Sequence, residues 1–284
     1  RFIRGLLVST IFIVILSAIE GCKKDEYIPI SDAFYKTYFG TGDLTGRNIL
    51  KNGNGFVISG FGHNPNGDED YFLWKVDSMG NEISRHFVGT AGNDQCWGIV
   101  NSNDGGYVFA GWTDVNYPGV SNDVLIVKTD SEGNLLWSKI YGGAFNDIST
   151  DIISVNGGYV VSAIKGGNAD ENSWILRLDE NGDTLWTYTY GGNSSDGAMS
   201  VCDNHDGTYA VTGYTNSNGN GSTDGYVMLL NDLGAQLYYW PFGTPNYEEP
   251  HCIEYTWDGW IISGHAGTTD IQTHNVFLQF VSSN

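Results

Sequence analysis

The sequence predicts an all-β chain folded as a five-bladed β-propeller. A unit of roughly fifty residues occurs five times, and a period of that size marks a repeat architecture. Glycine occupies 39 of the 284 positions and aromatic residues make up 14%. That composition suits many short strands joined by tight turns, in a chain long enough for one large all-β domain.

The second strand of each unit is the clearest element. It reads Phe56–Gly60, Tyr107–Gly111, Tyr159–Ala163, Tyr209–Gly213 and Trp260–Gly264, opening on an aromatic and closing on Gly or Ala. Before it stand hairpin signals such as Asn54-Gly55, Gly105-Gly106, Asp206-Gly207 and Asp258-Gly259, which supply the positive φ angles that short hairpins need. A third strand follows a loop of variable length: Tyr71–Asp77, Val124–Asp130, Ser173–Asp179, Tyr226–Asn231 and Val276–Val281. It turns back through Asp77-Ser78-Met79-Gly80, Asp130-Ser131-Glu132-Gly133, Asp179-Glu180-Asn181-Gly182 and Asn231-Asp232-Leu233-Gly234. Asp or Asn opening the turn and Gly closing it predicts a type I turn with a bulge. In the fourth strand an aromatic precedes a glycine by five residues: Trp137 before Gly142, Trp186 before Gly191, Tyr238 before Gly243; Ser84 before Gly89 breaks the rule. The fifth unit has no fourth strand, and Phe34–Gly40 has the missing pattern. The N-terminal strand is therefore expected to complete the last blade and close the ring, leaving only short protected edges.

The N-terminus reads as an address. Arg1 and Arg4 precede a mostly apolar run from Gly5 to Ile19 that ends at Gly21-Cys22, the layout of a secretory signal. Cys22 after Gly21 resembles a bacterial lipobox, which implies cleavage before Cys22 and acylation of its thiol. Lys24-Asp25-Glu26 resembles the surface-export signal of Bacteroidota lipoproteins. The repeat resembles the propeller-like repeats of Bacteroidota secreted and surface proteins. The motifs that carry this are Asp130-x-x-Gly133-Asn134-x-x-Trp137, Tyr141-Gly142-Gly143-x-x-Asn146-Asp147 and Gly157-Gly158-Tyr159. The resemblance implies a fold and a setting, the cell surface at the outer membrane, and brings no catalytic residues with it. The expected domains are a lipoprotein signal peptide at 1–21, a linker at 22–32 and the propeller at 33–284.

The 33 acidic against 13 basic residues give a formal charge of −20. Such a surface excludes nucleic acid, whose phosphates need a basic partner, and docking of the folded body on anionic lipid; membrane contact is expected through the lipid anchor only. Beyond Cys22 there remain Cys96, Cys202 and Cys252, without metal-like spacing. Whether Cys202 and Cys252 pair is left open.

Two candidate sets face the ends of the strands where the variable loops lie, and variable loops on a rigid scaffold are where binding usually resides. Asp94, Asp147, Asp196 and Glu248 each follow a glycine by five residues, with Thr45 in the N-terminal copy. They are either a polar ligand mouth able to take Ca²⁺, since clustered carboxylates suit hard cations, or local caps of the inter-blade turns. Trp112, Tyr214 and His265 (with Phe61, and Ile164 breaking the set) leave the second strands. They either stack on sugar rings or pack blade against blade. The histidines are scattered, and no Gly-x-Ser-x-Gly, phosphate loop or Cys-x-x-Cys is present. No residue is assigned a catalytic role and no cofactor is expected, Ca²⁺ apart. The function expected is a monomeric, surface-anchored, non-catalytic binding or scaffold propeller that engages a glycan or an envelope protein. The alternative is a glycoside hydrolase or polysaccharide lyase with its acids in the central pocket.

Overall fold

The computed structural model describes residues 36–38, 42–168, 170–267 and 274–282. The leader, Cys22, the linker and all of Phe34–Gly40 except 36–38 lie outside the described residues. Residues 38–284 form one unit by their contacts. Within that unit nineteen antiparallel strands form five sheets. The first sheet holds β1 (Leu44–Asn52), β2 (Gly55–His63), β3 (Glu69–Val76) and β4 (Glu82–Val88). In the second are β5 (Asp94–Asn101), β6 (Tyr107–Thr113), β7 (Asp123–Thr129) and β8 (Leu135–Tyr141). The third contains β9 (Asp147–Val155), β10 (Gly158–Gly166), β11 (Glu171–Leu178) and β12 (Thr184–Tyr190). Next come β13 (Asp196–Asp203), β14 (Thr208–Thr215), β15 (Asp224–Asn231) and β16 (Gln236–Phe242). The last sheet has β17 (Tyr247–Thr256), β18 (Gly259–Gly267) and β19 (His274–Ser282). Each is a plain meander in sequence order.

First strands stand next to one another, β1 by β5, β5 by β9, β9 by β13 and β13 by β17. Hydrophobic clusters fill the seams between neighbouring sheets. Val108, Ile126, Tyr159 and Trp174 close the second seam; Val211, Tyr226, Met228 and Ile175 close the third. Because a sheet is covered on both faces, its middle strands carry no polar alternation: Val124, Leu125, Ile126 and Val127 are all fully buried. That is the continuous apolar run expected of a strand with two dry faces, each such side chain contributing about 1.5–3 kcal/mol.

Every first strand carries one bulge, at Arg47, Trp97, Thr150, Met199 and His251. The bulge explains the closing Gly of the second strand. A β-carbon on Gly60, Gly111, Gly213 or Gly264 would lie less than 3.0 Å from the backbone carbonyl oxygen of Thr45, Gln95, Gly197 or Glu249. The turns are as read from sequence. Asp77, Asp130, Asp179 and Asn231 each accept two backbone N–H groups, at 2.8–3.0 Å, from the residues two and four positions on. The closing glycines adopt φ of 71°, 93°, 77° and 78°. Ser84 sits opposite Lys75 just as Trp137 sits opposite Lys128, so the departure in residue type does not shift the register.

One correction concerns the first unit. Leu44 pairs with Gly62 as Asp94 pairs with Thr113, so Leu44 and not Thr45 occupies the acid's position. Counting from Gly40 misplaces it by one residue.

Candidate functional site

The four acids that follow the glycines are buried, with 0% exposure at Asp94, 2% at Asp147 and Asp196, and 7% at Glu248. Asp94, Asp196 and Glu248 are held by their own turns, and Asp147 by the end of β10. Thr90 donates its hydroxyl to Asp94 at 2.9 Å, Gly192 its N–H to Asp196 at 2.8 Å and Thr244 its N–H to Glu248 at 3.0 Å. Gly166 donates its N–H to Asp147 at 3.1 Å. Each acid also meets a polar residue from the start of the preceding sheet's third strand: Asp70, Asp123, Asn172 or Asp224. The intervening glycine (Gly89, Gly142, Gly191 or Gly243) has both side chains where its β-carbon would be, less than 3.0 Å away. One oxygen of Asp70, Asp123 and Asp224 is buried without a hydrogen-bond partner; it rests on the glycine Cα, a contact of the C–H···O kind. At the first seam the Asp70 and Asp94 carboxyl groups crowd the same glycine, Gly89. Burial, reinforced by the Asp70 charge, pushes Asp94 up to about 7, so one of the two carries a proton at mildly acidic pH. Burial likewise raises Asp147. These acids therefore lie in the seams, three tied to their own turns and Asp147 to the end of β10.

The aromatics divide. Phe61 is buried; Trp112, Tyr214 and His265 are half-buried. The Tyr214 ring covers Gly197, and its hydroxyl donates to Glu171 at 2.8 Å across the third seam. His265 stacks on Tyr247 and on His251, with ring centroids 5.4 and 4.9 Å away, and shares a 2.7 Å hydrogen bond with His251. Glu249 lies 3.9–4.0 Å from both imidazoles. Among the described residues no group of three or more His, Cys, Asp or Glu side chains is arranged to hold a metal ion.

A cavity of about 470 Å³ lies elsewhere, among the first strands. Its walls come from four successive first strands: Val100 of β5, Asp151, Ile153 and Ser154 of β9, Ser200 to Asp203 of β13 and Cys252 to Tyr255 of β17, with His205 from the β13–β14 hairpin. These residues lie in the second halves of the strands, towards the short hairpins and away from the variable loops. Asp151 is fixed: one carboxylate oxygen accepts the Ile152 N–H at 2.8 Å, the other the Ser200 hydroxyl at 2.8 Å and the Val201 N–H at 3.2 Å. Burial nevertheless raises its pKa, helped by Glu254. Among the described residues Glu254 makes no hydrogen bond or ion pair. Cys202 and Cys252 are free thiols. Burial first and then Glu254 push Cys202 up to about 12 and raise Cys252 in the same direction, so both stay protonated. His205, at φ 62°, is held by Asp203, which accepts its backbone N–H at 2.8 Å and meets its ring nitrogen at 3.2 Å. Its imidazole stands edge-on to Tyr255, 6.4 Å between centroids.

Reading the sequence for repeated residues misses this set, because its members differ from blade to blade. Four positions past the acid the chain reads Gly98, Asp151, Ser200 and Cys252; six past, Val100, Ile153, Cys202 and Glu254. Departure from the repeat on the first strand is the signal that finds them.

Fold and cavity define an all-β, propeller-like protein with a polar cavity among its first strands. No family model matches the sequence, and no curated protein matches it. Among solved structures it is similar to the WD40 domain of Pan2 from Neurospora crassa, at 11% identity and TM-score 0.51, over 84% of this chain and 65% of that one. Drosophila Semaphorin 1b, extracellular domains 1–2, aligns at 10% identity and TM-score 0.51, over 85% and 52%. The chain thus spans less than two thirds of the length of either. At these identities the likeness is one of fold. A thermostable family-43 glycoside hydrolase aligns at 11% identity over 85% and 90%, with a TM-score of 0.46, too loose a superposition to argue from.

Proposed function

We propose that the chain is a non-catalytic binding or scaffold protein, a five-bladed propeller held at the outer face of the outer membrane by lipid on Cys22, which engages a glycan or an envelope protein. Closure by the N-terminal segment has support in Tyr38. Its hydroxyl donates to the Gly80 carbonyl at 2.8 Å and its ring packs on Trp74. Tyr141 and Tyr190 reach the Gly182 and Gly234 carbonyls of the following blade in the same way. Tyr38 thus does for the first blade what a fourth strand does for the next.

The observation that carries the non-catalytic reading is the state of the cavity carboxylates. Paired-acid hydrolysis needs two groups free to exchange protons or attack. Asp151 is held by three hydrogen bonds from its own scaffold and Asp203 by His205, which leaves Glu254 as the free carboxylate among the described residues of the cavity. Glycan-array binding by the purified protein without product release tests the reading; cleavage of a bound polysaccharide would overturn it. The hydrolase alternative keeps one observation in its favour, that Asp151 has a raised pKa and shares a cavity with Glu254. It predicts turnover that Asp151→Asn or Glu254→Gln abolishes.

A further inference from the structure

We infer that the cavity among the first strands is a ligand site for an amino sugar, with Glu254 as the anchor of its protonated amine. The inference rests on the binding reading above and gives it a place and a chemistry.

Position comes first. Glu254 stands where the other first strands carry Leu50, Val100, Ile153 and Cys202, small or apolar side chains. A carboxylate at an apolar position of a repeat breaks a local rule, and such breaks concentrate at functional sites. Its side chain is exposed and makes no hydrogen bond or ion pair among the described residues, so the carboxylate is free to meet a ligand.

The surroundings then select the ligand. About 470 Å³ falls within the range of small-molecule sites. Asp151, Asp203 and Glu254 face the cavity, and no Lys or Arg lines it. Carboxylates of one sign in a cleft with low-dielectric walls focus a negative potential. Anionic ligands are repelled and a cation is drawn in. Ser154 offers a hydroxyl to a polyhydroxylated ring, while Val100 and Ile153 give the apolar surface that a sugar's C–H face needs. Tyr255 and His205 add flat rings to the lining, and a cation is favoured over an aromatic face such as that of Tyr255. An ammonium group carries three donors, enough to engage Glu254 together with neighbouring acceptors.

The test is calorimetric titration of the full chain with the glucosamine trisaccharide and with its N-acetylated counterpart. The charged trisaccharide is expected to bind at least tenfold tighter. Glu254→Gln, and Glu254→Leu, which restores the residue type of the first blade, should each weaken it tenfold or more with an unchanged melting temperature. Equal affinity for the two trisaccharides, no binding of the charged one, or full affinity in Glu254→Leu would overturn the inference. Glycan-array hits that persist in Glu254→Leu would remove the cavity assignment while keeping the binding function. Loss of all glycan and envelope-protein binding in the unmodified chain would remove both.

Discussion

Gly89 shows how one missing methyl group organises a seam. Its φ is unexceptional, so a substitution there tests space alone: a β-carbon would overlap the Asp94 and Asp70 carboxyl oxygens. Gly89→Ala is therefore expected to destabilise the fold by roughly 1–3 kcal/mol, read as a lower denaturant midpoint at unchanged slope. The neighbouring acid gives a pH test with an unusual sign. Asp94 is raised from the ordinary carboxylate value to about 7 in the folded protein, so the native state binds the proton more tightly than the unfolded chain. Its contribution is full below about pH 4 and is lost as pH climbs towards 7, at about 1.4 kcal/mol per unit of displacement at most. Asp94→Asn should flatten the stability profile between those limits and melt higher than the parent at pH 7.5. A steeper profile in the variant would contradict the assignment. The glycine–acid spacing is legible in the sequence. The second carboxylate is not, because Asp70 comes from the preceding unit, 24 residues upstream of Asp94.

Turns and strands were the most legible elements, since their signals are local. Asp179 accepts the N–H groups of Asn181 and Asp183, both at 2.8 Å, and local capping of this kind is what Asp and Asn do in turns. Asp179→Ala should cost roughly 1 kcal/mol, whereas Asp179→Asn should be close to neutral, because Asn231 fills the same place in the fourth blade. Chemical denaturation of the two variants side by side checks this. Bulges in the first strands could not be read, although their shadow was visible as the glycine that closes each second strand. That glycine marks a steric contact across the hairpin, and nothing in the first strand's own residue types announces it. The cavity set escaped for a related reason: Asp151, Ser200, Cys252 and Glu254 come from three separate sheets and meet at one cavity, a relation that only three dimensions express.

Across the molecule as a whole, the fifth sheet is the place to look. β19 carries Val276, Leu278 and Phe280 at 88%, 73% and 47% exposure, apolar residues on a face that the other sheets bury against a neighbour. If the N-terminal segment completes this blade, amides of β19 in the full chain should exchange with solvent as slowly as those of β15. Exchange at the rate of an open edge would contradict closure.

On the proposed reading, what repeats builds the sheets and their seams, and what breaks the repeat on the first strands meets the ligand. Amide chemical-shift mapping of the labelled full chain, titrated with the glucosamine trisaccharide, puts this division to the test. Shifts are expected to concentrate at Ser200, Val201, Ile253, Glu254 and Tyr255. Shifts concentrated instead in the variable loops at 63–70, 113–123 and 215–224 would refute it.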